Sequence, residues 1–190
     1  MKIFYTITIL LILLWGCGIF DTRSPEEPET RRSTFIPPST PDAVITNLTF
    51  SILEKNSNNY HKCISLLSFV FIPDAKSQIL YGIIFQNWNY NSEKFYMDNL
   101  ISQTNTNASS NLFLSNKTVR LVSSDSAVAA ADYIVVFQHN RNNIPKSSVG
   151  NFRLIIQSDE NNSFYITRWE DFRKNDTDFT WSELKANFSN

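Results

Sequence analysis

The sequence predicts an α+β domain in which N-terminal helices pack on a curved antiparallel sheet. Two observations predict this fold class. Apolar residues recur at helical spacing early in the folded part, as in Ile45, Leu48 and Ile52. After Leu112 the pattern changes to alternation, with Tyr133, Val135 and Phe137 on one side of a strand. Helices followed by a run of strands are typical of the α+β layout.

The N-terminal segment has the pattern of an export signal. Lys2 supplies a positive charge, and the apolar run over residues 3–15 is shorter than the roughly 20 residues that a spanning helix needs. The tetrad Leu14–Cys17, which reads Leu-Trp-Gly-Cys, resembles the lipobox of bacterial lipoproteins. This resemblance implies cleavage after Gly16, attachment of a diacylglycerol to Cys17, and acylation of the new amino terminus, for example with palmitate. An uncleaved anchor and an ordinary secretory signal are the alternatives.

Residues 17–39 are predicted to form a flexible tether. The stretch holds four prolines and charges of both signs, and its first half has too few apolar residues to bury a core. We therefore expect a signal peptide over residues 1–16, a tether over 17–39 and one folded domain over 40–190. The predicted location is the cell envelope, outside the cytoplasm, on a membrane that would be the outer membrane in a Gram-negative cell.

Three helices are predicted before the strands. Thr40 and Pro41 have the chemistry of a helix start. A second helix is predicted from a stripe of apolar residues at helical spacing, namely Tyr60, Cys63, Ile64 and Leu67. Residues 77–88 fit a helix or a buried strand equally well. A third helix is predicted to begin near Asn91.

The strands and the last helix follow from local patterns. Short strands are predicted at 112–114 and 119–122, and longer ones at 127–138, 152–157 and 164–169. Asp159 begins a hairpin turn of favourable composition. Thr180 and Glu183 form a capping box for a final helix that directs Trp181 inward.

The order of these elements resembles the NTF2-like family, whose fold is a cone. The resemblance spans roughly residues 41–171 and rests on the leading helices at 44–53 and 60–67, the segments 71–74 and 93–96 with Trp88 between them, the strand at 133–137 and the final hairpin at 152–157 and 164–171. Members of the family include proton-transfer isomerases, dehydratases and many pocketed domains without known activity. The resemblance therefore implies the fold more than the function.

Composition excludes several classes of function. The net charge of -1 argues against a nucleic-acid surface. Only four glycines occur, and no phosphate-binding loop is present. His61 and His139 lie far apart in different contexts, so no metal or other cofactor is predicted. Cys63 lacks a partner once Cys17 carries lipid, and we expect it to be a buried packing residue.

Acid–base catalysis in a cone-shaped pocket is the one enzyme mechanism that the residues leave open. It needs a carboxylate or histidine in the apolar interior, where burial raises the pKa of a carboxyl group. The candidates are Asp132, Glu170, Asp171 and His61, and we expect all four to be surface groups. No catalytic residue is therefore assigned.

Five aromatic residues are candidates for the lining of a ligand pocket, although such rings equally fill a core. They are Trp88, Tyr96, Tyr133, Tyr165 and Trp169.

The sequence favours a lipid-anchored envelope module without catalytic activity. Its partners would be the membrane, through the anchor, and a small apolar ligand or an envelope protein. One alternative is an isomerase- or dehydratase-like enzyme that uses a buried carboxylate or histidine. Another is a structural role as a homodimer, which predicts an apolar patch on the outer face of the sheet near Ile155, Tyr165 or Trp169.

Overall fold

The structure, a computed structural model, describes residues 34–189. The predicted signal peptide, the cleavage site at Gly16, the lipid-attachment residue Cys17 and the tether up to residue 33 lie outside the described residues. Within the described range, no helix is long and apolar enough to cross a membrane.

The described residues form five α-helices and five strands, which loops connect. Hydrogen bonds between side chains and the backbone cap the N-termini of several helices. The Thr40 hydroxyl accepts from the backbone N–H of Ala43, and Thr180 and Glu183 form the predicted capping box. The helices are α1 (Pro41–Leu53), α2 (Ser57–Lys62), α3 (Ala75–Phe85), α4 (Tyr90–Ser102) and α5 (Trp181–Phe188). The strands are β1 (Val70–Ile72), β2 (Asn111–Leu121), β3 (Ser126–Val136), β4 (Ser147–Ser158) and β5 (Phe164–Phe172).

The strands form one sheet in the order β1-β5-β4-β3-β2. The four long strands pair antiparallel, as predicted. β1 pairs with β5 in parallel, so the sheet is mixed. Alternate residues of β3 and β4 are buried, and the helices cover this inner face. The α+β fold class and the cone layout are confirmed.

Two element predictions are wrong. The second helix ends at Lys62, and Leu67, predicted on its inward stripe, is 94% exposed. The chain leaves the helix because the carbonyl of Cys63 accepts from the N–H of Ile166, and the N–H of Ser65 donates to the carbonyl of Ile166. The two short strands at 112–114 and 119–122 are one strand, β2, with an irregularity between Ser115 and Thr118.

The first described residues are hydrogen-bonded to the domain. The side chain of Asn47 bonds both the N–H and the carbonyl of Ile36, and the N–H of Phe164 donates to the carbonyl of Pro38. The end of the predicted tether is therefore attached beside α1 and the start of β5.

Candidate functional site

Glu93 is a fully buried carboxylate at the centre of the cone. It lies in the first turn of α4 and is 1% exposed. The Tyr60 hydroxyl donates to Oε1 at 2.5 Å, and the Trp88 indole N–H donates to Oε2 at 2.7 Å. The Lys185 ammonium, which comes from α5, also donates to Oε1. Glu93 and Lys185 therefore form a buried ion pair whose carboxylate has further donors.

Aromatic rings surround the Lys185 ammonium. Its Nζ lies 4.2 Å from the ring centre of Phe71, 4.4 Å from that of Trp169, 5.2 Å from that of Tyr96 and 5.9 Å from that of Trp88. All four distances fall within the range of cation–π attraction. Lys185 is 0% exposed, and this burial lowers the pKa of its ammonium group while the charge of Glu93 opposes the change. We call Glu93 and these four rings the ammonium cage.

A second buried carboxylate, Asp171, holds the beginning of α5. The Tyr133 hydroxyl donates to its Oδ1 at 2.7 Å, and the backbone N–H and hydroxyl of Ser182 donate to its Oδ2 at 2.8 and 2.6 Å. The N–H of Trp181 in turn donates to the Tyr133 oxygen. Burial raises the pKa of Asp171 to about 6, although the hydrogen bonds from Ser182 and Tyr133 act in the opposite direction.

Asp74, the N-cap of α3, also binds the beginning of α5. It accepts from the hydroxyls of Ser77 and Thr180 at 2.5 and 2.6 Å and from the Arg173 guanidinium at 3.1 Å. Burial alone would raise its pKa, but these hydrogen bonds outweigh that effect and lower it. Two buried aspartates thus position the first turn of α5 over the cone.

Side chains of α5 occupy the interior of the cone. Trp181 is fully buried, contacts Trp169 edge to face at a ring separation of 4.6 Å, and donates its indole N–H to the Tyr96 hydroxyl at 2.9 Å. Lys185, one turn further along, fills the ammonium cage. The centre is therefore occupied by the chain's own residues.

A cavity of about 730 Å³ opens elsewhere, on the surface between α2, the start of α4 and the β4–β5 hairpin. Its size is within the range of small-molecule sites. We call it the hairpin cavity. Its apolar and aromatic lining comes from Ile64, Leu66, Leu67, Tyr90 and Tyr165. Its polar lining comes from Asn58, His61, Lys62, Ser65, Lys94 and Asp159.

The charged groups of the hairpin cavity have neighbours of their own. The Lys94 ammonium binds Asp98 at 2.5 Å on the exposed face of α4. The Lys62 ammonium lies 5.1 Å from the ring centre of Phe35. Asp159 accepts from backbone N–H groups of the hairpin turn, which lower its pKa. The lining itself carries two ammonium groups and one carboxylate, and Asp98 beside it pairs with Lys94.

His61, which we predicted to be exposed, is 7% exposed and lies against the hairpin cavity. Burial lowers the pKa of its imidazole despite the nearby Asp98 carboxylate. Its Nε2 makes no hydrogen bond to any described residue, and Asp98 Oδ1 is 3.5 Å away. His61 is therefore a buried imidazole whose Nε2 lies beside the Asp98 carboxylate but makes no hydrogen bond to a described residue.

The four candidates for acid–base catalysis, Asp132, Glu170, Asp171 and His61, divide into two pairs. Asp132 and Glu170 lie at the outer face of the sheet and are ion-paired, as expected: Asp132 with Lys174, and Glu170 with Arg153 and Arg168. Hydrogen bonds, the strongest from Asn116, lower the pKa of Asp132 to about 2. Asp171, which we expected at the surface, is 1% exposed, so that expectation is wrong, as it is for His61.

The five aromatic candidates for a pocket lining lie in two different places. Trp88, Tyr96, Tyr133 and Trp169 are buried in the interior, where they pack against α5 or against its Lys185. Tyr165 lies apart from them and lines the hairpin cavity. Trp169 is 0% exposed, which contradicts its expected place on the outer face of the sheet.

Sequence reasoning missed Glu93, Lys185 and Tyr60. Tyr60 and Lys185 lie on helices, and their chemistry depends on contacts with Glu93 across 33 and 92 residues. A weak signal existed in α5, since Lys185 shares a helical face with Trp181 and Phe188 at spacings of four and three.

The chain is similar to known proteins in its fold and not in its sequence. No protein-family model matches the chain, and no curated protein matches its sequence. Among solved structures, a candidate scytalone dehydratase from Novosphingobium aromaticivorans is similar over 68% of this chain and 78% of its own, with 9% identity and a TM-score of 0.53. A candidate calcium/calmodulin-dependent protein kinase II association domain from Xanthomonas campestris is similar over 72% and 86%, with 13% identity and a TM-score of 0.52.

An NTF2-like protein from Cytophaga hutchinsonii is also similar, over 68% of this chain and 91% of its own, with 6% identity and a TM-score of 0.50. The described residues therefore have the α+β cone fold of NTF2-like proteins, which confirms the fold that the sequence resemblance implied. At these identities the similarity concerns the fold and not the reaction.

Proposed function

We propose that this chain is a lipid-anchored protein of the cell envelope that binds a small amphipathic anion in the hairpin cavity and catalyses no reaction. The anchor rests on the tetrad that ends at Cys17. The binding role rests on one observation above all: Trp181 and Lys185 fill the cone, whereas the hairpin cavity is open to solvent.

The lining of the hairpin cavity favours a ligand with an apolar body and a negatively charged end. Leucine side chains and tyrosine rings suit a hydrocarbon chain. The ammonium groups of Lys62 and Lys94 suit a carboxylate or phosphate. The exposed leucines, Leu66 and Leu67, lie at the same site, so ligand binding would also remove apolar surface from water.

The test uses sodium decanoate as the probe and amide chemical shifts as the readout. We expect saturable shifts at residues 61–67 and at Tyr165, and weaker binding when both Lys62 and Lys94 are changed to Glu. A matched control is Lys117→Glu, since Lys117 is also an exposed lysine paired with a carboxylate, Asp42, but lies outside the cavity. Shifts confined to β3 and β4, or no saturation, would contradict the proposal.

The lipid anchor has its own test. Intact-mass analysis of the chain purified from its native membrane should give a product that begins at Cys17 and carries fatty acyl groups. A chain that begins at Met1, or one that lacks fatty acid, would exclude the anchor and leave the cavity proposal standing.

An acid–base enzyme is the second candidate, and Asp171 favours it. The carboxyl group is buried, has a raised pKa and lies 2.7 Å from the Tyr133 hydroxyl. Against it, both carboxylate oxygens already accept hydrogen bonds, two of them from α5. Exchange of the α-protons of cyclic ketones in D₂O, abolished by Asp171→Asn, would favour this enzyme over the binding module.

A homodimer is the third candidate. On the outer face of the sheet, Phe113 and Ile134 lie opposite each other on β2 and β3, and Phe113 is 57% exposed. Sedimentation equilibrium should detect a dimer that Phe113→Asp dissociates. A wild-type monomer at high protein concentration would exclude this role.

A further inference from the structure

We propose that the ammonium cage is a binding site for a primary alkylammonium ion, and that Lys185 of α5 occupies this site when the chain is closed. The site is distinct from the hairpin cavity, and its ligand has the opposite charge. The proposal therefore goes beyond the function proposed above and does not depend on it.

The cage is built by elements other than the helix that fills it. Phe71 comes from β1, Trp88 from the loop between α3 and α4, Glu93 and Tyr96 from α4, and Trp169 from β5. α5 contributes the cation, and its Trp181 also contacts the Trp169 and Tyr96 rings. A carboxylate and rings that are positioned independently of Lys185 would present the same surface to another ammonium ion of similar size.

The hydrogen bonds at Glu93 select the kind of cation. Oε1 accepts from the Tyr60 hydroxyl and from the Lys185 ammonium, while Oε2 accepts from the Trp88 indole. A replacement cation must donate an N–H to Oε1 to keep this arrangement, which a quaternary ammonium ion cannot do. An unbranched primary amine with about four carbons reproduces the lysine side chain itself.

One buried donor beside the cage is unused. The Trp169 indole N–H makes no hydrogen bond to any of residues 34–189, although Trp169 is 0% exposed. A buried donor without an acceptor is unfavourable. A ligand that carries a hydroxyl or carbonyl oxygen near its amine would supply an acceptor that the lysine side chain lacks.

The helix that carries Lys185 lies outside the sheet. The five strands pair with one another and not with α5. The first turn of α5 is held by polar groups, chiefly Asp74, Asp171 and Tyr133. The helix also buries Trp181, Leu184 and Phe188 in the core. Withdrawal of α5 would break these contacts and expose the cage while the strand pairing stays intact.

The first experiment vacates the site. Lys185→Ala leaves Glu93 without its cation, and we expect a lower melting temperature that n-butylammonium raises again with saturation. Neutral n-butanol and tetramethylammonium should not do so, and the double variant Lys185→Ala, Glu93→Gln should lose the response. Lys117→Ala is the matched control, since Lys117 is also paired with a carboxylate, Asp42, but is exposed, and it should show no response.

A second probe identifies the source of the amine. Nα-acetyl-lysine methylamide presents the same ammonium on a backbone fragment. Rescue by both amines supports a site that accepts lysine side chains of other polypeptides, and rescue by n-butylammonium alone supports a site for free amines. Failure of both, or an equal effect of n-butanol, overturns the proposal.

The second experiment uses the wild-type chain and does not depend on whether the variant folds. An ion that binds only molecules with α5 withdrawn increases their population by the factor 1 + [L]/Kd, which is about elevenfold at ten times Kd. Amide hydrogen exchange in residues 183–188 should accelerate by that factor in n-butylammonium, while exchange in β3 and β4 stays unchanged. Unchanged exchange of α5 at 100 mM n-butylammonium would overturn the proposal.

Discussion

Substitution of Asp171 by Asn should remove a specific pH dependence from the stability of the domain. The pKa of this carboxyl group is about 6 in the folded chain, because burial disfavours its charged form. In the unfolded chain an aspartate has a pKa of about 3.9. Between these two values the folded state binds more protons than the unfolded state, so the free energy of unfolding falls as pH rises.

The size of the effect follows from the difference between the two pKa values. About two units at about 1.4 kcal/mol per unit correspond to about 3 kcal/mol over the whole titration, of which about 2 kcal/mol is lost between pH 4 and pH 6.5. The carboxamide of the Asp171→Asn variant has no proton to lose in this range, so this part of the slope should be absent from the variant. Other charges near the group, chiefly Asp74 and Lys185, are present in both proteins.

Urea unfolding at half-unit pH intervals measures the slope. The control is Asp176→Asn, which changes an exposed aspartate in the loop before α5. We expect the difference between wild type and Asp171→Asn to change by about 2 kcal/mol across the range, and that between wild type and Asp176→Asn to stay nearly constant. Parallel curves for wild type and Asp171→Asn would refute the argument that this buried carboxyl group titrates near pH 6.

Three further results are expected. Trp181→Ala should lower the free energy of unfolding by about 3–5 kcal/mol in urea because it empties a buried site, whereas Phe95→Ala at a half-exposed position of α4 should cost far less. Thr180→Ala should cost about 1–2 kcal/mol through loss of the helix cap, and Thr180→Ser should recover most of it; equal losses for both would contradict the capping argument. His61→Gln should reduce the loss of stability between pH 7 and pH 5. The pKa of His61 is lowered in the folded chain, so the unfolded chain binds the proton more readily as pH falls through the unfolded value of about 6.5, and the free energy of unfolding falls with it.

Local chemistry was enough to predict where several elements begin. The capping box of Thr180 and Glu183 and the proline of α1 depend on residues within one turn of each other. The alternation in β3 likewise predicted which of its residues face the core. In these places local preference and tertiary packing favour the same structure.

Long-range contacts explain the failures. The apolar stripe of α2 continues to Leu67, yet pairing of residues 63–65 with Ile166 ends the helix at Lys62. No local pattern in the sequence indicates that pairing. Tertiary hydrogen bonds of this kind override helical spacing.

The position of Asp171 could have been predicted, but that of the ion pair could not. Asp171 follows Trp169 by two residues on a strand, so an inward tryptophan implies an inward aspartate. Glu93 and Lys185 are separated by 92 residues and lie on helices with many polar residues. Their pairing follows from how α5 packs on the cone, which the spacing of residues does not specify.

The central claim is that the chain's own ammonium group occupies the interior of the cone, and ¹⁵N NMR of lysine side chains tests it most directly. A buried Lys185 ammonium that donates to Glu93 and lies between aromatic rings should give a ring-shifted signal that exchanges slowly with water at neutral pH. The exposed Lys94 ammonium should exchange too fast to be observed under the same conditions. If the Lys185 signal, assigned by its loss in Lys185→Met, exchanged as fast as that of Lys94, the interior would be open to water and the account would be wrong.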